Sequence, residues 1–420
     1  MTEVELAQEL KDAIIDELYW KRDFRSLASC ALAHNSFRTT SQKYLFRHIR
    51  LGSGPSARCF HARLQKHGAL AEHVESLLFD EGPCFDEEYY EHHEAEWTSY
   101  LWIRKERAVL ADILDLLPTV RTLFIQSWDD SCAVGVNDAP LLDALERATR
   151  RCLYTLGWYG SGGIHDQILG DERCQVRDLR MIQTRAGFYS RDRTPKAPLK
   201  SLVLSGIHYV PAEVPRRYVS HLSQGHPLDV RGLEILRVDS RVVRKERHDI
   251  VIILRQCQST LRSLDIYGPD LVGNIWLDLN RLEQLRLLSI RGSSKDRYAW
   301  NIIIDDVTRI LSTAVCVEHL AIEIYLSSPL DDAEDRWWNE LSRALTNCRL
   351  GRTLKTVTLH LRRPKKHWVN KVAPELPDAA FIRGKMPALA SRVELNVERS
   401  PVRDPFSRSL VPLELLEDGQ

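Results

Sequence analysis

Apolar residues recur at helical spacing near the start of the chain and in short strand-like bursts from residue 74 onward. Leu6, Leu10, Ile14 and Leu18 repeat every fourth position and share one helical face, with Ile15 beside them. Glu3, Glu5, Glu9, Asp12 and Asp16 put negative charge early, which suits the positive end of a helix. Asp23 is a good N-cap for a second helix carrying Leu27, Cys30, Ala31 and His34. A third stretch holds Phe37, Tyr44, Leu45, Phe46 and Ile49 and ends before the turn at Gly52–Pro55. Three short amphipathic helices in about 45 residues bury too little area to be very stable alone. Such a module leans on a neighbour, as a cap on a larger domain or as a surface for a partner.

After residue 70 one phrase recurs: aliphatic, charged, any, aliphatic, any, apolar. Its copies are VESLLF from Val74, VRTLFI from Val120, LYTLGW from Leu153, VRDLRM from Val176 and LKSLVL from Leu199. LEILRV from Leu233, LRSLDI from Leu261, LRLLSI from Leu285, VEHLAI from Val317 and LKTVTL from Leu354 follow, with a frayed copy at Val393–Val397. Aliphatic residues are too common for the three apolar positions to decide anything. The second position decides, because nine of ten copies carry Lys, Arg or Glu there in a chain only 28% charged. In such a phrase the fourth and sixth residues alternate inward on a short strand, and one strand alone buries nothing; stacked copies make a continuous core.

Helical stretches lie between the phrases. Val109, Leu110, Ile113, Leu114 and Leu117 form one face ending at Pro118, and Asp138 reads as an N-cap before Leu141, Leu142 and Leu145. Asp249–Cys257, Asp306–Ser312 and Glu334–Cys348 read similarly. Strand–helix alternation of this kind gives a solenoid with a parallel sheet, or a general α/β domain with one. Successive phrases start 46, 33, 23, 23, 34, 28, 24, 32 and 37 residues apart, looser than a regular array.

The N-terminal segments LAQELKDAIIDEL, LASCALAHNSF and SQKYLFRHIRL resemble an F-box of the kind found in fungal F-box/leucine-rich-repeat proteins, over about residues 6–51. The family opens with Leu-Pro where this chain has Leu6-Ala7, which removes the fixed backbone angle at the first helix. The resemblance implies a fold: a three-helix F-box (1–55), an irregular ribonuclease-inhibitor-like leucine-rich-repeat solenoid with a parallel sheet (56–398), and a C-terminal tail (399–420). It also implies docking on a Skp-type adaptor of a cullin complex through Leu6, Leu10, Ile14, Leu18, Leu27, Cys30, Leu32, Phe37 and Leu45. Adaptors of that family are acidic, and Leu18–Leu51 carries seven basic residues (Lys21, Arg22, Arg25, Arg38, Lys43, Arg47, Arg50) against the single acid Asp23.

If the strand register is right, the residues facing out from the sheet include Gln126, Tyr159, Arg180, Arg237, Asp239, Asp265, Tyr267, Arg291, Glu323 and His360. All of these but Gln126 are taken as candidate contacts for an unknown protein target, because Tyr and Arg dominate binding hot spots. Any one of them taken singly reads first as part of a solvated sheet face, which would also be polar. Residues 80–97 form an acidic aromatic segment and 362–371 a basic one with a single Trp, each consistent with an ordinary surface loop.

Composition narrows the function classes. Lys plus Arg and Asp plus Glu balance at 58 each, which argues against a main task of gripping phosphates. No signal-peptide pattern or membrane span is expected, so the cytoplasm or nucleus is the expected compartment. Nine cysteines lack a CxxC pair; Cys152, Cys257 and Cys348 read as small hydrophobes packed at helix ends. The Gly-rich GWYGSGGI at 157–164 lacks the spacing of a phosphate-binding loop, and no GxSxG, HExxH or kinase signature occurs. The expectation is therefore a non-catalytic subunit without cofactor or metal that recognises a ligase substrate. The alternatives are a repeat scaffold whose degenerate F-box binds no adaptor, and a hydrolase-type enzyme in the repeat region.

Overall fold

Each of the ten phrases is a strand in the computed structural model, and each strand opens at the third residue of its phrase. The structure describes residues 6–81, 102–127, 139–160, 166–169, 171–182, 198–205, 228–239, 247–267, 279–291, 310–311, 313, 316–325, 333–347, 353–362 and 376–400. Among the described residues twelve strands occur, and within each of two units they pair in parallel in chain order. Two compact units divide the chain, Met1–Val176 with Val411–Gln420, and Arg177–Leu410.

The first unit begins with helices α1 (Gln8–Trp20), α2 (Phe24–Ala33) and α3 (Asn35–Leu45), then β1 (His48–Leu51) and α4 (Gly54–Lys66). It continues with β2 (Ser76–Asp80), β3 (Thr122–Ser127) and β4 (Thr155–Gly160). The second unit carries β5 (Asp178–Ile182), β6 (Ser201–Ser205), β7 (Ile235–Asp239), β8 (Ser263–Tyr267) and β9 (Leu287–Arg291). It ends with β10 (His319–Tyr325), β11 (Thr356–Arg362) and β12 (Glu394–Ser400). Helices Arg107–Leu116 and Ala139–Arg151 in the first unit, and Arg247–Gln256 and Ala333–Asn347 in the second, fill intervals where helical spacing predicts them. Asp138, Cys348 and most of Asp306–Ser312 lie outside the described residues, as do most of 80–97, 362–371 and the tail.

The repeat is physical as well as textual. Every first, fourth and sixth residue of the ten copies is buried, from Val74, Leu77 and Phe79 to Leu354, Val357 and Leu359. The second residue stands just ahead of the strand, and in most copies its carbonyl oxygen accepts two N–H groups from the next copy. Glu234 O, for example, takes Arg262 N at 2.8 Å and Ser263 N at 3.0 Å. Thr119, Thr260 and Thr353, each directly before a phrase, donate their hydroxyls to the first-position carbonyls of the preceding copy: Val74 (3.1 Å), Leu233 (2.9 Å) and Val317 (3.2 Å).

The charge preference at the second position has a cause in the same place. Lys200 donates to Glu234 at 2.6 Å, and Arg262 approaches Glu234 from the other side at 4.0 Å. Arg286 and Lys355 flank Glu318 in the same manner. Exposed pairs like these are individually weak, but in a row they favour one strand register over its neighbours. The Lys200 ammonium, aided by Arg262, holds the Glu234 carboxyl below the ordinary range, and Lys355 with Arg286 does the same for Glu318. Both carboxyl values are depressed by folding. The ladder's contribution is therefore whole above the ordinary carboxylate range and disappears as pH falls through the depressed values. In a Lys200→Ala variant, carboxyl-carbon NMR should find Glu234 titrating closer to the ordinary value, with Glu318 unmoved.

Two expectations are corrected. The third N-terminal stretch is helical only to Leu45; His48–Leu51 is a strand paired in register with Ser76–Phe79. Residues 46–51, FRHIRL, are thus an additional copy of the phrase with Phe46 in first place and Arg47 in second. The turn at Gly52–Pro55 is the start of α4, capped by a reciprocal Ser53–Ser56 box. In the frayed copy β12 puts Leu395 and Val397 in the fourth and sixth places, so Arg392 stands first rather than Val393. Cys257 behaves as the sequence suggests: it is buried, and burial pushes its thiol up to about 12. No helix among the described residues is long and apolar enough to cross a membrane.

Candidate functional site

The N-terminal helices form a small core with an apolar exterior. Ile15 of α1 and Leu27 and Ala31 of α2 are buried together. Tyr19 and Tyr44 stack with ring centroids 4.3 Å apart, tying α1 to α3. Tyr44 donates its hydroxyl to Asp16 at 2.6 Å, and that bond pushes the phenol up to about 12. Asp23 caps α2 as expected, accepting from Ser26 N at 3.0 Å.

Outside this core Leu10 (55% exposed) and Ile14 lie on the outer face of α1; Leu6, expected on the same helical face, is exposed but precedes the helix, which begins only at Gln8, and Leu32 at the end of α2 is 84% exposed. Leu18, Cys30, Phe37 and Leu45 are half-buried. Leu27 is fully buried, so among the residues the family resemblance assigns to an adaptor it is a core position and offers no surface. Trp20, 78% exposed at the end of α1, adds an apolar surface that the four-residue spacing does not reach. Scattered exposed aliphatics are ordinary, but Leu10 and Ile14 at i, i+4, with Leu6 exposed just ahead of the helix, concentrate apolar surface on one small module, the kind of feature that marks interaction sites.

The basic surplus of this region is smaller than its sequence suggests. Lys21 pairs with Glu17 at 2.9 Å, Arg47 with Glu75 at 3.0 Å, and Arg50 donates to Asp80 at 2.7 Å. Three of the seven basic residues are thereby matched by acids of the same unit. The departure at Ala7 is also smaller than it looks. Ala7 caps α1 with φ −58°, an angle proline would fix. Ala7→Pro should therefore leave the helix intact and raise stability by about 0.4–1 kcal/mol through the unfolded chain, read as an upward shift of the denaturant midpoint.

In the second unit the residues expected to face outward hold matched backbone positions across the strands. Asp239, Tyr267, Arg291, Glu323 and His360 occupy matched positions on β7 to β11, and Glu398 continues the row on β12. His360 Nδ1 lies 3.0 Å from Glu398 Oε2. Arg237 and Asp265 are paired one step earlier, 3.7 Å apart, and Arg180 folds back onto Asp178 at 2.7 Å. Gln126 and Tyr159 are matched in the first unit. The register expected from the phrase holds, but accessibility does not follow from it. Glu323 is 1% exposed and Asp265 is buried as well, so neither presents a side chain to a large partner.

The row nearest the start of the strands was not singled out by sequence. There Ile235 (38% exposed) on β7 and Leu287 (40%) on β9 flank Ser263 on β8. Their place in the phrase is the unconstrained third position, where an exposed aliphatic has no role in the core.

Among the described residues, no group of three or more His, Cys, Asp or Glu side chains is placed to hold a metal ion. No family model and no curated protein matches the chain. Among solved structures, a Bacteroides fragilis protein determined by a structural genomics consortium is similar at 11% identity, with 82% of this chain and 81% of that chain covered and a TM-score of 0.29. A likeness at that level says nothing about function.

Proposed function

We propose that the chain is the substrate-recognition subunit of a Skp–cullin–F-box ubiquitin ligase, with α1–α3 docked on the adaptor and the repeat units holding a protein target. The observation that carries this reading is the open aliphatic stripe of Leu6, Leu10 and Ile14 with Leu32 on a module whose own core is three residues deep. Such a surface is stabilised when a partner covers it. The resemblance of residues 6–51 to an F-box supplies the identity of the partner. The outward sheet face supplies room for a target.

No chemistry is asked of this chain. Its contribution is to hold the target beside the transfer machinery, so that transfer takes place at high effective concentration. The test is capture of a purified Skp-type adaptor, and then of the cullin through it, by the full-length chain. Retention of both supports the reading; failure of the wild-type chain to retain the adaptor overturns it. The second reading, a scaffold whose F-box no longer engages an adaptor, is favoured by the internal pairing of Lys21, Arg47 and Arg50, and that same failure would support it.

A further inference from the structure

We infer that the second unit takes an acidic segment of its protein target at the notch where Ser263 lies between Ile235 and Leu287, with Arg262 and Arg286 binding the carboxylates. This deepens the target-binding half of the function proposed above and rests on it.

The argument starts from the ladder. Its residues read Lys200, Glu234, Arg262, then Arg286, Glu318, Lys355: two runs in which one acid serves two cations. Each run carries one excess positive charge. Where the runs meet, Arg262 and Arg286 are neighbours just ahead of β8 and β9, with Arg286 N donating to Arg262 O at 2.9 Å and no acid between them in the row. Like charges directly opposite on adjacent strands are destabilising. Among the described residues each arginine has one acid, shared with a lysine, and Arg286 also donates to the Cys316 carbonyl at 3.2 Å. Arg262 reaches Glu234 only at 4.0 Å, its side chain 70% exposed, while Lys200 holds the same carboxylate at 2.6 Å. Arg286 lies 3.4 Å from a Glu318 that also pairs with Lys355. A carboxylate arriving from outside would relieve this repulsion.

One residue further along the same strands stands the apolar element. Ile235 and Leu287 are two strands apart, roughly 9–10 Å at the usual inter-strand spacing. The small side chain of Ser263 between them leaves a recess with two aliphatic walls. That is room for one apolar side chain, one residue along the chain from the two arginines. The pattern favours a protein segment over nucleic acid: Glu234 and Glu318 would repel a continuous phosphate chain, and aliphatic walls offer no stacking surface for bases.

The probe is a fluorescein-labelled synthetic peptide of alternating Asp and Leu, titrated with the full-length chain and read by anisotropy. Matched peptides carry Asn for Asp, Ser for Leu, or phosphoserine for Asp. The Asp–Leu peptide should bind more tightly than the Asn and Ser versions, and added salt should weaken it. Arg262→Glu with Arg286→Glu, and separately Ile235→Ser with Leu287→Ser, should each weaken binding by about tenfold or more. All four side chains are exposed, so circular dichroism should be unchanged. Lys66→Glu on α4, in the other unit, should bind as wild type does. Equal binding of the Asp–Leu and Asn–Leu peptides, wild-type affinity in both double variants, a preference for the phosphoserine peptide, or displacement by polyuridine would each overturn the inference. Leu10→Asp leaves this binding intact whatever happens to adaptor capture, so the two readings fail independently.

Discussion

Leu10→Asp is expected to weaken adaptor capture by about 2–3 kcal/mol, roughly thirty- to over a hundredfold, while leaving the protein folded. Leu10 is exposed in the first turn of α1, between Leu6 just ahead of the helix and Ile14 one turn on. A carboxylate there is free in solution but must lose its water when an apolar partner closes over it, and nothing in the stripe can pair with it. The same substitution is mild for the isolated chain. Position 10 lies in the first turn of α1, where negative charge suits the helix N-terminus, and Leu10 contributes little to the Ile15–Leu27 core. Folding and binding are thus separated. Surface plasmon resonance with the purified adaptor reads the affinity, and thermal unfolding reads the fold. Leu27→Asp should do the reverse, unfolding the module before binding can be measured, because Leu27 is fully buried. Unchanged affinity in Leu10→Asp would remove the stripe from the interface.

The repeat was legible in the sequence because its hardest constraint falls on a visible residue type. The second position must stand beside its counterparts ahead of every strand, so charged residues recur there whatever the spacing between copies. The copy at Phe46–Leu51 escaped because an aromatic residue opens it and because its residues also continue a helical pattern through Tyr44 and Leu45. Periodicity names a face but not its direction. Leu6, Leu10, Ile14 and Leu18 mark a stripe, yet it is Ile15 one step round the helix that packs inward. Nothing in one chain's spacing distinguishes a stripe that meets the core from one left for a partner.

The outward rows teach a related lesson. A two-residue period correctly predicts that Asp265 and Glu323 lie on the opposite side of the strand from the core, but their burial is set by neighbours on adjacent strands. Sequence reasoning weighted polar and aromatic residues as binding candidates, and so it passed over Ile235 and Leu287. Their significance comes only from standing two strands apart around Ser263, a relation that no one-dimensional pattern contains.

Gly157→Ala is expected to destabilise the first unit by about 2–3 kcal/mol, an effect of overpacking and not of backbone strain. Gly157 on β4 lies opposite Phe124 on β3, both on the outward side of the sheet. A Cβ built at Gly157 would come well under 3.0 Å from both Cδ1 and Cε1 of Phe124, closer than real Cβ atoms come to anything. The ring is buried and cannot simply swing into water, so either it leaves its rotamer or β3 and β4 part. Parting the strands would disturb the ladder bonds from Arg121 O to Tyr154 N and Thr155 N just upstream. A double-mutant cycle isolates the contact. Phe124→Leu alone should cost about 1 kcal/mol in lost apolar burial, yet in the Gly157→Ala background it should restore stability. Urea unfolding of the four proteins gives the coupling. Additive effects would mean that the ring and the glycine do not share this space.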